Sequence, residues 1–225
     1  MRKILNSMNH ETLSTNKLIV GPEWDQRVID ISLPSGKFGI FVSGGVDSGV
    51  LLHCLLENGG QYRHEDITVF TVDSPRDGSA VHSRNMIESA CNYFKIPLLK
   101  QEFVGGETQL DKTITKEGFA RMDQIVLDTK FSRRVKTIYT ASNHTPPQEW
   151  FTIPGPTPWR AWRVDQKLVR TPFQFLYKYH ILSIIKQRSW EHIYDVSHTC
   201  TEWVEGHCGE CWQCSELKWA REQLL

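Results

Sequence analysis

Apolar and polar positions along this chain fall into blocks of changing period. Residues 37–43, "KFGIFVS", form an apolar run that reads as a buried strand. Residues 47–58, "DSGVLLHCLLEN", switch to helical spacing and stop at Asn58-Gly59-Gly60, a helix-ending signal. Residues 66–73, "DITVFTVD", are a second β-rich run ending in an acid. Residues 82–94 are helical in pattern. Residues 96–103 are a weaker strand candidate broken by Pro97, 116–129 are helical, and 135–141, "VKTIYTA", are another strand. From Asn143 to Pro172 the pattern gives way to Pro, Trp and Arg, and long irregular segments in compact domains are often functional. Helical spacing returns at 174–187, and the chain ends in a short helical stretch, "SELKWAREQLL". Strands alternating with helices predict an α/β fold: a doubly wound, mostly parallel sheet with helices on both faces. We expect a main domain over 1–199, with an irregular segment at 144–171, and a C-terminal element over 200–225 packed on it.

Composition narrows the picture only a little. The 225 residues are 40% hydrophobic, enough for a real core. The formal net charge is zero, so nothing in the charge balance argues for direct nucleic-acid contact or an anionic membrane surface. The apolar runs are far shorter than a membrane span. The N-terminal stretch "MRKILNSMNHETLSTNK" has a basic start but no sustained apolar segment, unlike a secretory signal. A cytoplasmic location is therefore expected, with thiols reduced unless a metal holds them. The eight tryptophans are many for this length, and several fall between Trp150 and Trp162. A homodimer is left open.

The turn between the first strand and helix is Ser43-Gly44-Gly45-Val46-Asp47-Ser48. A strand feeding a helix in a parallel sheet puts its turn at the carboxyl edge, where ligands bind. Glycines permit close backbone approach, unpaired N–H groups at a helix start attract anions, and the two serines add hydroxyls. The segment reads as a phosphate cradle. Asp47 would repel phosphate, so it reads either as an N-cap or as a ligand or outer partner of Mg²⁺. The turn lacks the GK[ST] ending of a Walker A loop and the spacing of a dinucleotide fingerprint. It resembles the PP-loop of the N-type ATP pyrophosphatases, which split ATP to AMP and pyrophosphate while adenylating a substrate oxygen. That resemblance places adenine against the backbone of Thr71, Val72 and Asp73, at the end of the second strand.

Four of the six cysteines lie within fifteen residues: Cys200, Cys208, Cys211 and Cys214. Their C-x7-C-x2-C-x2-C spacing matches a closed tetrahedral Zn²⁺ site of structural type. An iron–sulfur cluster shares the spacing logic. Gly209 supplies a tight turn. His198 and His207 flank the cluster and read as spectators, while Cys54 and Cys91 sit in apolar helical patterns and read as core.

Loop and cysteines together resemble 7-cyano-7-deazaguanine synthases. The shared features are a Pro-led helix at Pro172, a segment running from Ser197 to Cys200, the run Cys208-Gly209-Glu210-Cys211-Trp212-Gln213-Cys214, and a final helix. The resemblance covers roughly residues 37–142 and 171–222, and implies an adenine nucleotide alpha hydrolase-like fold. It also implies ATP, Mg²⁺ and Zn²⁺ as cofactors, and a deazaguanine carboxylate and ammonia as substrates. The carboxylate would be adenylated and converted to amide and then nitrile. Asp47, Ser48 and Arg121 would carry the chemistry, and Ser43, Gly44, Gly45, Val46, Asp47 and Ser48 would hold the nucleotide. The chain also departs from this family. Ala120-Arg121-Met122 stands where the family has P-x-R-N, keeping the arginine and losing the asparagine. "ASNHTPPQEWFTIPGPTPWRAWR" replaces a tyrosine–proline–aspartate–cysteine–arginine run. The ATP half is thus retained and the acceptor half rewritten. Arg160 and Arg163 are further candidates to bind an acceptor carboxylate, and Trp150, Trp159 and Trp162 to stack on a planar acceptor. A PP-loop scaffold that binds RNA or protein, or another tRNA- or nucleobase-modifying activity, remains an alternative.

Overall fold

The computed structural model describes residues 17–34, 36–59, 63–72, 78–104, 128, 134–150, 168–202 and 205–225. Two short strands come first, β1 (Lys17–Val20) and β2 (Arg27–Asp30), paired antiparallel with Ile19 opposite Val28. Strand β3 (Phe38–Phe41) leads into helix α1 (Val46–Asn58), then β4 (Ile67–Val72), helix α2 (Ser79–Phe94) and β5 (Lys100–Val104). Strands β6 (Thr137–Tyr139) and β7 (Val169–Arg170) complete the sheet. Helices α3 (Lys178–Arg188), α4 (His192–Val196) and α5 (Trp212–Glu222) follow.

The main sheet has five strands in the order β5-β4-β3-β6-β7, and every neighbouring pair is parallel. Phe38 sits opposite Ile67 on one side and Thr137 on the other. The chain runs outward from β3 to β4 and β5, then returns to lay β6 on the opposite flank of β3. The end of β3 is therefore a topological switch point, where parallel sheets open a crevice. All four residues of β3 are buried, as a central strand requires.

Side chains of the strands alternate between two clusters. Phe38, Ile40 and Val69 join a large core with α1, α2, α3, α4 and α5, including Leu51, Met86, Ile181, Ile193 and Leu217. Phe41, Phe70, Ile138 and Val169 face the other way with Val135 and Leu168. Among the described residues the helices pack on the first face only. The helix expected over 116–129 lies outside the described residues apart from Asp128. Cys54 and Cys91 are buried in the first cluster, as expected of core thiols. Burial raises the thiol pKa of both.

Boundaries moved where local chemistry decided them. The segment read as a Pro-led helix from 174 begins instead at Lys178. The preceding residues close turns in which the Gln174 amide donates to the Thr171 carbonyl and that of Leu176 to Phe173. The final helix starts earlier than expected, directly after Cys211. The β1–β2 hairpin was not anticipated. It is tied down by the Gly21 amide donating to Ser183 Oγ at 2.7 Å and by Asp25, which accepts from the Tyr179 hydroxyl. No described helix is long and apolar enough to cross a membrane.

Candidate functional site

The 43–48 turn leaves β3 at the switch point and opens α1. Gly44 has φ +87, and a Cβ there would lie 2.5 Å from the His82 backbone carbon, so no side chain fits. The turn is curled by its own hydroxyls. The Ser43 amide donates to Ser48 Oγ at 3.2 Å, and Ser48 Oγ donates to the Gly45 carbonyl at 3.0 Å. A distant segment braces it from outside. The His198 amide donates to the Gly44 carbonyl at 2.9 Å, and the Val46 amide donates to Thr199 Oγ1 at 3.2 Å.

Asp47 does not cap the helix, which corrects one of the two readings of this residue. The helix begins at Val46 with Gly45 as N-cap, and no side chain caps it. Asp47 Oδ2 instead meets Lys178 Nζ at 3.0 Å, and the same ammonium meets Glu216 Oε2 at 2.8 Å. Lys178 is only 2% exposed. Burial works against its charge, but Asp47 and Glu216 outweigh it and hold its pKa above the ordinary lysine value. Burial pushes the Glu216 carboxyl up, an effect that Lys178 only partly opposes. Asn143 Nδ2 donates to the remaining Glu216 oxygen at 3.4 Å. Asp47 Oδ1 is buried with no hydrogen-bond partner. A buried carboxylate oxygen left without a donor is costly, and a cation or ligand donor at this point would satisfy it. A cavity of about 200 Å³ runs from Ser43 and Ser48 past Asp47 and Lys178 to Cys200 and Gln213.

The four cysteines converge as the spacing predicts. Their Sγ atoms all lie within 4.8 Å of one another. Cys208 and Cys214 sulfurs are 3.9 Å apart, as are those of Cys200 and Cys211. Backbone amides point at the sulfurs. Those of Glu202 and Cys208 donate to Cys200 Sγ, and those of Glu210 and Cys211 to Cys208 Sγ. Such donors stabilise thiolates. Gly209, at φ +76, forms the turn between Cys208 and Cys211. Burial pushes the Cys211 thiol up, but hydrogen bonds from Thr201 and Cys214 outweigh this and bring it to about 6. Burial, together with the Cys211 charge, pushes Cys214 up. Four thiolates at this spacing repel, and a bound dication removes that repulsion. Among the described residues this is the one cluster able to hold a metal. His198 and His207 are not in it, but His198 is no bystander. Its amide braces the loop, and its ring stacks 4.0 Å from that of His82.

The other expected residues are less concentrated. Thr71 is buried within the sheet, donating to the Val42 carbonyl and accepting from Gln101. The Val72 carbonyl accepts from Ser79 Oγ. Neither lines the cavity beside the loop. Asp73, Arg121, Trp159, Arg160, Trp162 and Arg163 lie outside the described residues. Trp150 is half-exposed and packs against Trp219 and Tyr177. The reading of the sequence missed Lys178, Thr199 and Glu216. No local pattern singles out Lys178, whose burial rests on its pairing with Asp47 and Glu216.

No family model matches the chain, and no curated protein matches it significantly. Solved structures do. The chain is similar to NMN synthetase from Francisella tularensis at 15% identity and TM-score 0.48, covering 85% of this chain and 83% of that one. It is similar to NH3-dependent NAD synthetase from Campylobacter jejuni subsp. jejuni, solved with nitrate, at 12% identity and TM-score 0.45, with 74% and 71% covered. It is also similar to U34-tRNA thiolase from Methanococcus maripaludis, solved with its 4Fe–4S cluster, at 13% identity and TM-score 0.47, with 84% and 64% covered.

Proposed function

We propose that this chain is an ATP-dependent ligase of the PP-loop type. It adenylates a heteroaryl carboxylate of the 7-carboxy-7-deazaguanine class, and ammonia displaces AMP to give the amide. The amide oxygen is adenylated in turn and leaves with a second AMP to give the nitrile. Each activation cleaves one ATP to AMP and pyrophosphate. The observation that carries the reading is the pairing, at the end of β3, of an S-G-G-x-D-S turn with a buried ammonium and an unsatisfied carboxylate oxygen. A polyphosphate with its magnesium needs a cation, a carboxylate and a close-approaching backbone at one point. Lys178 supplies the first, Asp47 the second and the glycine turn the third. Mg²⁺, when bound, neutralises the pyrophosphate leaving group. Lys178 balances the same developing charge from a position that excludes water. Arg121 is the proposed partner of the acceptor carboxylate, and Trp150 the proposed edge of its stacking surface.

At the cysteines we assign Zn²⁺. A tetrahedral ion with ~2.3 Å bonds holds its sulfurs ~3.8 Å apart, and two of the observed separations are 3.9 Å. A four-iron cluster places each thiolate on a separate iron and spreads the sulfurs further.

The test is mass spectrometry of the products after incubation with ATP, Mg²⁺, ammonia and 7-carboxy-7-deazaguanine. AMP, pyrophosphate and the amide or nitrile are expected, and Asp47→Ala should abolish all of them while the fold persists. Formation of ADP in place of AMP overturns the nucleotide assignment. Formation of AMP without consumption of the deazaguanine overturns the acceptor assignment and leaves the nucleotide assignment standing.

A further inference from the structure

Two chains of contacts lead from the cysteine cluster to the nucleotide turn. The first is short. Cys200 is followed back along the chain by Thr199 and His198. Thr199 Oγ1 accepts the Val46 amide at 3.2 Å, and the His198 amide holds the Gly44 carbonyl at 2.9 Å. The second runs through side chains. Cys214 lies in the first turn of α5, with Glu216 two residues on. Glu216 holds Lys178 at 2.8 Å, and Lys178 holds Asp47 at 3.0 Å. Both begin at one of the four cysteines and end on the 43–48 turn, and His198, Thr199, Cys200, Lys178 and Asp47 line the same cavity. Residues 198–202 form neither helix nor strand. Their position is set by these contacts and by Cys200, whose sulfur accepts the amides of Glu202 and Cys208.

We infer that the metal centre positions the nucleotide turn, so that metal and nucleotide bind cooperatively, with Thr199 and Glu216 as the positioning residues. This rests on the assignment of metal to the four cysteines and of nucleotide to the turn. Ion loss would release Cys200 and Cys214 together. The Val46 amide would lose its acceptor and the Lys178 ammonium its fixed counter-charge. The turn would then sample other shapes, and nucleotide would have to order it again on binding. Linkage makes the effect reciprocal, so nucleotide must tighten metal retention by the same factor.

The test uses the full chain in three measurements. First, a non-hydrolysable ATP analogue is titrated by calorimetry into metal-loaded and chelator-stripped protein. Second, zinc affinity is measured by competition with a chromophoric chelator, with and without the analogue. Both should change by one common factor, in the range of about 5- to 150-fold. Equal affinities in the two states overturn the inference. Third, hydrogen exchange at residues 44–48 is followed on metal loading with no nucleotide present. Protection should rise, and unchanged exchange overturns the coupling even if nucleotide binds elsewhere. If loaded wild type binds no nucleotide, the proposed function falls, and the exchange measurement still decides the coupling. Where stripping unfolds the chain, the measurement is made on loaded protein. Thr199→Val keeps all four cysteines and should retain full zinc and native circular dichroism, while exchange at residues 44–48 rises and analogue affinity falls by at least about 5-fold. A merely structural threonine would lower stability and leave exchange at 44–48 and analogue affinity intact, and that result overturns the inference.

Discussion

The two ends of α1 open onto two cavities. At its first turn lies the carboxyl-edge cavity of about 200 Å³ beside the glycine turn. At its last turn lies an amino-edge cavity of about 500 Å³, lined by Leu56, Glu57, Arg63, His64, Phe94 and Pro97. The larger one holds charges that are already content. Arg63 pairs with Glu65 at 2.6 Å and with Asp66 at 3.5 Å, and its side chain is 71% exposed. The smaller one holds an ammonium sealed from water between two carboxylates, with one carboxylate oxygen unsatisfied. Volume measures room, whereas buried charge marks where the fold has spent stability on chemistry.

The sharpest way to break this contrast is Lys178→Met. Removing one partner from a buried ionic cluster leaves Asp47 and Glu216 facing each other, at a cost of about 3–5 kcal/mol. Denaturant unfolding should read that loss, and AMP formation should vanish. Adding Glu216→Gln should restore part of the stability and none of the activity. A next-largest effect is expected at the cysteines. Cys211→Ser should take zinc content from about one per chain to near none. Limited proteolysis should then cut in the region 198–214, because metal binding at such sites is folding free energy.

Acid tests the helix between the two cavities. His53, in the middle of α1, is fully buried, with Nδ1 on the Gly49 carbonyl and Nε2 on His192 Nε2 at 3.0 Å. Burial lowers its pKa from 6.5 to about 4, with the Gly49 contact opposing and His192 adding to the fall. The unfolded chain binds this proton below about pH 6.5 and the folded one only below about 4. Stability is therefore complete above that window and declines as pH drops through it, by up to ~3 kcal/mol. Melting curves in zinc-loaded protein should show the decline, and His53→Gln should flatten it. The smallest effect belongs to the amino edge. Arg63→Ala should change unfolding free energy by less than about 0.5 kcal/mol and leave AMP formation untouched, as exposed ion pairs do. A loss of AMP formation there would erase the contrast.

What the sequence disclosed, and what it withheld, follows the same division. The turn and the cysteine run were legible because their residues are neighbours in the chain, where spacing alone carries the geometry. Strands β3, β4 and β6 were legible from apolar density. Lys178 was not, because its burial depends on Asp47 and Glu216, which reach it from α1 and α5 and share no local pattern with it. Thr199 was hidden for the same reason, since its partner amide is 153 positions away. Asp47 was half read: its cation partner turned out to be a lysine, as well as any ion that its free oxygen would take. The hairpin was overlooked because each of its strands has four residues and the breakers Gly21 and Pro22 follow directly on the first.

That separation of 153 positions also has a consequence in time. The turn at 43–48 leaves the ribosome long before the residues that brace it. At about 5–20 residues per second, the wait is roughly eight to thirty seconds. During this interval β3, α1 and β4 can form from local contacts, while the amide of Val46 and the carboxylate of Asp47 have only water for company. The glycine turn is thus among the first parts of the sheet to be made and among the last to be finished. A nascent chain stalled before Thr199 should hold its parallel strands and yet grip no nucleotide.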